Sequence, residues 1–279
     1  KVELAMKLSD LLLSLGMDMR EKFFGQITQA FGGNLRSIVC GGAPLAPKLV
    51  KDFYSFGVFL LEGYGITECA PLVAVNSPGK VRYHSVGQPV YGCKIDTEGG
   101  DTVTYVNDKA DRNHRAAGPC GEILVKGENV MLGYYKNEEA TRQAFTDDGW
   151  FRTGDIGYMD KDGYIYITGR KKNVIILSNG KNIFPEELEE KLSHIPGVGE
   201  SVVLGRKNES GEVVTTAVIY PDPEYFGDKT SGEKLAALRE IITEFNRTLP
   251  VYKQIRAVDL RETEFEKTSS RKIKRFLIK

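Results

Sequence analysis

The sequence lacks most of the features that would mark it out at once. No apolar run approaches the roughly 18 residues that a membrane span needs, and FGVFLL (56–61) and VIIL (174–177) have the length of core strands. At most a peripheral membrane association is expected. The four cysteines, Cys40, Cys69, Cys93 and Cys120, are widely spaced with no C-x-x-C pair, which reads as free thiols in a reducing cytosol. Charge of either sign is not in excess: 38 basic and 38 acidic residues give a net charge of zero, which argues against a polyanion-binding protein. His84, His114 and His194 have no metal-ligand spacing. There is no G-x-x-x-x-G-K-[ST] loop and no G-x-S-x-G elbow, and Gly63-Tyr64-Gly65 lacks the third glycine of a dinucleotide fingerprint. No internal repeat or low-complexity segment occurs.

What is present is ordinary in composition and ordered in pattern. The 279 residues are 41% hydrophobic and 27% charged, enough for two domains. KVELAMKLSDLLLSLG opens with Leu4, Leu8, Leu11, Leu12 and Leu15 at helical spacing and no capping residue ahead, so a piece of a longer protein is expected. LRSIVC (35–40) reads as a buried strand entering the turn Gly41-Gly42-Ala43-Pro44, with a helix from Ala46 and then the strand GVFLLEGYG. That alternation favours a parallel sheet covered by helices over about residues 1–80. Residues 81–168 are rich in short strands and glycine, an antiparallel barrel or sandwich whose clearest element is the hairpin GYMDKDGYIYI, turning at Asp162-Gly163.

The basic break GRKKN (169–173) precedes a second unit. It holds the strand VIIL, a helix PEELEEKLSHIPG with Pro185 and glutamates at its start, strands SVVLG and EVVTTAVIY, an amphipathic helix EKLAALREIITEFNRTL and a strand IRAVDL. The fold expected is α/β plus α+β: a large domain over 1–171 and a small α+β domain over 172–279. From Lys267 to the end there are six basic residues and no acidic one. Ile273, Phe276 and Leu277 are expected to pack against the small domain, with Lys274, Arg275 and Lys279 on a solvated helix face.

Four stretches carry chemistry: Gly41-Gly42-Ala43-Pro44-Leu45, Glu62-Gly63-Tyr64-Gly65-Ile66-Thr67-Glu68, Gly149-Trp150-Phe151-Arg152-Thr153-Gly154-Asp155, and Gly169-Arg170-Lys171-Lys172. Glycines directly after a sheet strand let the main chain approach a flat ligand, although an ordinary strand-to-helix turn has the same look. The ring of Tyr64 can lie against a purine or simply pack in a core. A carboxylate such as Asp155 can accept from both hydroxyls of a ribose, or can serve a turn. Arg170 and Lys172 also read as solvated linker cations, and Trp150 as packing.

In order and spacing these stretches resemble the adenylate-forming superfamily of acyl-CoA synthetases, luciferases and carrier-protein adenylation domains. The tail Lys267-Thr268-Ser269-Ser270-Arg271-Lys272-Ile273 looks like that family's last motif, and the likeness covers essentially the whole chain. The resemblance implies a large adenylation domain, here its C-terminal part, followed by a small mobile domain that turns about Lys172. It implies a nucleotide site from Gly42, Ala43, Pro44, Glu62, Gly63, Tyr64 and Gly65, with Asp155 on the ribose and Arg170 also touching the nucleotide. Thr67 would bond the α-phosphate and Glu68 would hold Mg²⁺, which typically takes one or two carboxylates. Lys272 would touch the acyl carboxylate and the α-phosphate, so that Thr67, Glu68 and Lys272 form the catalytic set.

The implied reaction uses ATP to activate a carboxylate as acyl-AMP and then passes the acyl group to a thiol. SNGKNIFP (178–185) and the approach FGQITQAFGGNLRSIVCGGAPL resemble the long-chain fatty acyl-CoA synthetase branch, which implies a fatty acid, ATP and CoA as substrates. Gly180 would then lie beside the pantetheine arm. Two departures stand out. The family's glycine-rich phosphate loop is absent, so the 279 residues are not expected to turn over alone. Arg271 occupies the place before the lysine where the family usually has glycine. A carrier-protein thiol or oxygen as acceptor, and a non-catalytic nucleotide-binding homologue, remain as alternatives.

Overall fold

The computed structural model describes residues 2–43, 45–90, 94–98, 105–106, 120–269 and 271–278. Pro44, Cys93, His114, Ser270 and Lys279, all singled out above, lie outside the described residues. The chain divides after Ile167 into two compact units.

The first unit begins with α1 (Val2–Ser14), α2 (Arg20–Ala30), β1 (Ser37–Gly41), α3 (Pro47–Ser55), β2 (Phe59–Gly65), β3 (Leu72–Val75) and β4 (Gln88–Pro89). The four strands form one sheet in the order β1-β2-β3-β4, with β1 parallel to β2 and the next two pairings antiparallel. α3 starts on Pro47, whose ring suits the first helical turn. The leucine periodicity of α1 is real, but its face is turned outward: Leu4 is 73% exposed and Leu11 57%, while Ser9 is the buried residue.

β5 (Lys94–Glu98), β6 (Tyr105–Val106), β7 (Gly121–Lys126), α4 (Glu138–Ala144), β8 (Phe151–Met159) and β9 (Ile165–Arg170) follow. Their five strands form a second sheet, ordered β6-β5-β7-β8-β9. β8 alternates strictly between buried and half-buried positions, the period-2 signature of a strand with one covered face. The turn into β9 falls at Asp160–Gly163. The Asp160 carboxylate accepts from the amides of Asp162 and Tyr164, both at 2.9 Å, and Gly163 takes φ +79°. Arg82 clasps the same turn through Asp160 and Asp162 at 2.8 and 3.0 Å.

The second unit continues with β10 (Ile175–Ile176), β11 (Asn182–Ile183), α5 (Pro185–Leu192), β12 (Val198–Lys207), β13 (Val213–Pro221), α6 (Pro223–Phe226), α7 (Ser231–Arg247) and β14 (Ala257–Leu260). β12 and β13 pair antiparallel and β14 joins β13 in parallel. α7 opens with a capping box in which Thr230 and Glu233 satisfy each other's amides. Leu188, Leu192, Ile219, Leu238 and Ile242 form the centre of the core between helices and sheet.

The tail departs from the helix expected for it. Residues 275–277 make a single 3-10 turn. Ile273 and Ile278 pack on Val202, Val218 and Phe265, but Phe276 and Leu277 face outward at 81% and 47% exposure. Arg275 is not on a solvated face either, because its guanidinium pairs with Glu189. No described helix is long and apolar enough to cross a membrane. Leu188→Ala should cost about 2–5 kcal/mol, the usual range for emptying a fully buried leucine site. The checks are a lower denaturant midpoint and faster amide exchange along β12 and β13.

Candidate active site

Within the first unit, two hydrogen bonds draw three of the four chemical stretches together. At the C-terminal ends of the parallel strands β1 and β2, Gly41 lies opposite Gly63, and a side chain at Gly41 would press on the Gly63 carbonyl at 3.1 Å. Glu62, only 7% exposed, accepts from the Leu45 amide at 2.9 Å. A carboxylate expected in the nucleotide site thus holds the loop that carries Gly42 and Ala43. Gly42 takes φ +87°, where glycine is favoured.

Tyr64 is half-buried against the cluster of Val73, Ala74, Val125 and Phe151, and its hydroxyl donates to Asp155 Oδ2 at 2.6 Å. Asp155 is 4% exposed at an inward position of β8, and its amide donates to Thr153 Oγ1 at 3.1 Å. A carboxylate offers about four acceptor sites, so one phenol bond does not exhaust it. Gly65 is required sterically, because a Cβ there would sit 2.2 Å from the Pro71 carbonyl oxygen. The chain then makes a 3-10 turn, Thr67–Cys69, closed by Ala70 in the left-handed region. Thr67 is exposed, and its hydroxyl has no protein partner among the described residues.

Glu68 is half-buried beside Thr67, and its Oε1 accepts from the Tyr134 hydroxyl at 3.0 Å. Burial, and then this bond to Glu68, raise the Tyr134 phenol above its ordinary value, so it stays a donor at neutral pH. Tyr134 and Asn129, which ties the Cys69 and Leu72 carbonyls, have no counterpart among the residues expected above, and Thr153, part of a named stretch, bonds the Ile123 carbonyl. Only the Gly133-Tyr134-Tyr135 triplet gives a local signal, a polar aromatic pair behind a loop glycine. No group of three or more potential metal-binding side chains occurs among the described residues. Glu68 as the one carboxylate fits a magnesium ion whose other ligands are phosphates and water. Trp150 makes a packing contact, with Lys126 over its ring at 5.9 Å.

The second unit holds the remaining residues. Arg170 is exposed at the end of β9, and Lys172 is exposed in the 3-10 turn Lys171–Asn173. A side chain at Gly169 would strike Glu186 Oε2 at 2.6 Å. Gly180 forms the exposed tip between β10 and β11 at φ +77°. Its neighbours Ser178, Asn179 and Lys181, with Tyr252 and Arg256, line a cavity of about 450 Å³.

Lys272 sits in a short hairpin closed by the bridge Lys267↔Ile273. Thr268 bonds across it twice: its amide donates to the Lys272 carbonyl at 2.8 Å, and its hydroxyl accepts from the Lys272 amide at 3.2 Å. Arg271 adopts φ +61° in this turn, a conformation that costs a non-glycine residue about 1–2 kcal/mol.

Two family models match the chain. One described as AMP-binding enzyme covers residues 7–135, and one described as AMP-binding enzyme C-terminal domain covers 172–278. The chain belongs to the AMP-binding enzyme family.

Its relatives in that family include the long-chain-fatty-acid–CoA ligase FadD15 of Mycobacterium bovis, 36% identical over 77% of this chain and 33% of the relative. The long-chain-fatty-acid–CoA ligase of Salmonella typhimurium is 39% identical over 84% of this chain and 38% of its own length. A sulfoacetate–CoA ligase of Cupriavidus necator is 42% identical over 58% of this chain and 30% of its own. Among solved structures, the o-succinylbenzoate CoA synthetase of Bacillus subtilis in complex with ATP and magnesium superposes with a TM-score of 0.66 at 27% identity, covering 92% of this chain and 50% of that one. The chain thus has the mixed α/β fold of adenylate-forming enzymes, and it spans about a third of the length of the curated relatives it matches. Tyr64→Phe should destabilise this AMP-binding fold by about 1.5–3 kcal/mol, because a buried carboxylate loses a donor. A thermal melt unchanged from the parent would mean that Asp155 is held by other groups.

Proposed function

We propose that the chain is the nucleotide-handling and C-terminal part of an ATP-dependent fatty acid–CoA ligase. The observation that carries this reading is the convergence of the GGAPL loop, EGYGITE and Asp155 through the Glu62–Leu45 and Tyr64–Asp155 hydrogen bonds. The relatives that are long-chain fatty acid–CoA ligases support the substrate class, as does the SNGKNIFP stretch.

In this reading Gly42, Ala43, Pro44, Gly63 and Gly65 line the nucleotide's path, with Glu62 bracing the loop and Tyr64 serving as a wall. Asp155 accepts from the ribose hydroxyls, and Arg170 contacts the nucleotide. The Thr67 hydroxyl donates to the α-phosphate. Glu68 would hold Mg²⁺, which when bound neutralises phosphate charge. The acid's carboxylate oxygen attacks the α-phosphorus, and the bridging P–O bond to pyrophosphate breaks with its electron pair leaving on pyrophosphate. The Lys272 ammonium offsets charge on the α-phosphate and steadies the attacking carboxylate. The CoA thiol then displaces AMP from the acyl carbon, with Gly180 beside the pantetheine arm.

Residues 1–171 and 172–279 act as two bodies with Lys172 as the hinge; an exposed lysine tolerates large backbone rotation. The phosphate loop has no counterpart in the 279 residues, so the piece is inactive alone. Four widely spaced cysteines with no C-x-x-C pair suit a cytoplasmic enzyme. Carrier-protein transfer and nucleotide binding without catalysis are the competing functions. In the complete enzyme, Lys272→Ala is expected to lower fatty-acid-dependent ATP–pyrophosphate exchange about 10²–10³-fold. Thioester formation from supplied acyl-adenylate and CoA should survive. A parent enzyme that exchanges pyrophosphate but acylates only a carrier protein would move the acceptor assignment.

A further inference from the structure

The basic tail separates into two kinds of cation. Lys267 pairs with Glu200 and Glu264, Lys274 with Glu266 at 3.8 Å, and Arg275 with Glu189. Arg271 and Lys272, side by side at the hairpin tip, are both exposed, and neither side chain has a hydrogen bond or ion pair among the described residues. The tip is anchored from both sides: the Lys274 amide bonds the Glu266 carbonyl at 2.8 Å, the Phe265 amide bonds Glu200 at 3.0 Å, and Arg275 reaches the Val203 carbonyl at 3.3 Å. Arg271 holds the left-handed backbone at φ +61° that a glycine would adopt without strain.

We infer that Arg271 is a second catalytic cation of the adenylation step, and that its guanidinium takes the β-phosphate of ATP while Lys272 takes the α-phosphate. The inference rests on the adenylation reading above. Consecutive Cα atoms stand about 3.8 Å apart, so adjacent cations can serve adjacent phosphates of one chain. A planar guanidinium offers two parallel donors to one phosphate, which an ammonium cannot. As the carboxylate oxygen bonds to the α-phosphorus and the α–β bridging bond breaks, the bridging electron pair moves onto pyrophosphate. Arg271 meets that charge, and no proton changes hands. The thioester step involves no pyrophosphate and therefore makes no demand on it.

The test uses the complete enzyme with Arg271→Gly, Arg271→Lys and Lys272→Ala. Because glycine relieves the left-handed strain, Arg271→Gly should fold and melt no lower than the parent. Its fatty-acid-dependent ATP–pyrophosphate exchange should fall about 10- to 100-fold, the loss expected for one charge-assisted contact. Arg271→Lys should recover part of that loss, and thioester formation from acyl-adenylate and CoA should stay within about twofold of the parent. Exchange within twofold of the parent in Arg271→Gly would overturn the inference, as would equal loss of both half-reactions. If Lys272→Ala also kept full exchange, the adenylation role of the whole hairpin would fall, which separates the two failures.

Discussion

A carboxylate buried at an inward position of a strand is the constraint around which the first unit is arranged. β8 alternates, and its inward face carries Phe151, Thr153, Asp155, Gly157 and Met159. An ionised group on that face costs several kcal/mol unless donors meet it. Tyr64 meets it from the other sheet, so β2 and β8 hold a fixed separation wherever this bond is kept. Two more buried carboxylates work the same way. Glu62 holds the Leu45 amide, and Glu122 holds the Gly154 amide at 3.1 Å with Arg152 at 3.5 Å. Glu62 thus secures the loop after β1, and Glu122 secures β8 at Gly154.

The strands and the Asp160–Gly163 turn were legible because each is written in a local period or a local residue preference, although β1, read as buried, alternates between exposed and half-buried positions. So were three stretches that the fold brings together. Their connections were not. Tyr64 and Asp155 are 91 positions apart, and nothing local distinguishes a tyrosine facing a ligand from one holding an aspartate. Glu62 illustrates the same limit, since its spacing marks it as part of the site while only the fold shows it turned toward the Leu45 amide. α1 shows a different one. Periodicity says which leucines share a face, but Leu4, Leu8, Leu11 and Leu15 all lie exposed, because periodicity does not say what covers that face.

The C-terminal basic residues sharpen the point about charge. As a string they read as one patch with an apolar stripe, and the structure divides them by partner. Arg275 anchors Glu189, whose carboxyl burial pushes above its ordinary value while Arg275 and the Val203 amide pull it back. The Lys267 ammonium is raised by Glu200 first and Glu264 second. Ion pairs that water still reaches contribute little to stability. Their value is geometric: they fix the two ends of a hairpin that core packing reaches only through Phe265, Ile273 and Ile278.

That geometry explains how a short segment with few apolar contacts can present charge at a defined place. A free lysine on a loose tail would lose conformational entropy each time it met a phosphate. Here much of that ordering is already present in the Thr268 bonds, the Lys267↔Ile273 bridge and the ion pairs behind them. The left-handed residue belongs to the same turn, in which Arg271 takes positive φ. Glycine would satisfy the turn at least strain. An arginine there adds a charge where the backbone objects to a side chain, and while Glu189, Glu200, Glu264 and Glu266 pair Arg275, Lys267 and Lys274, that charge is left facing outward beside Lys272.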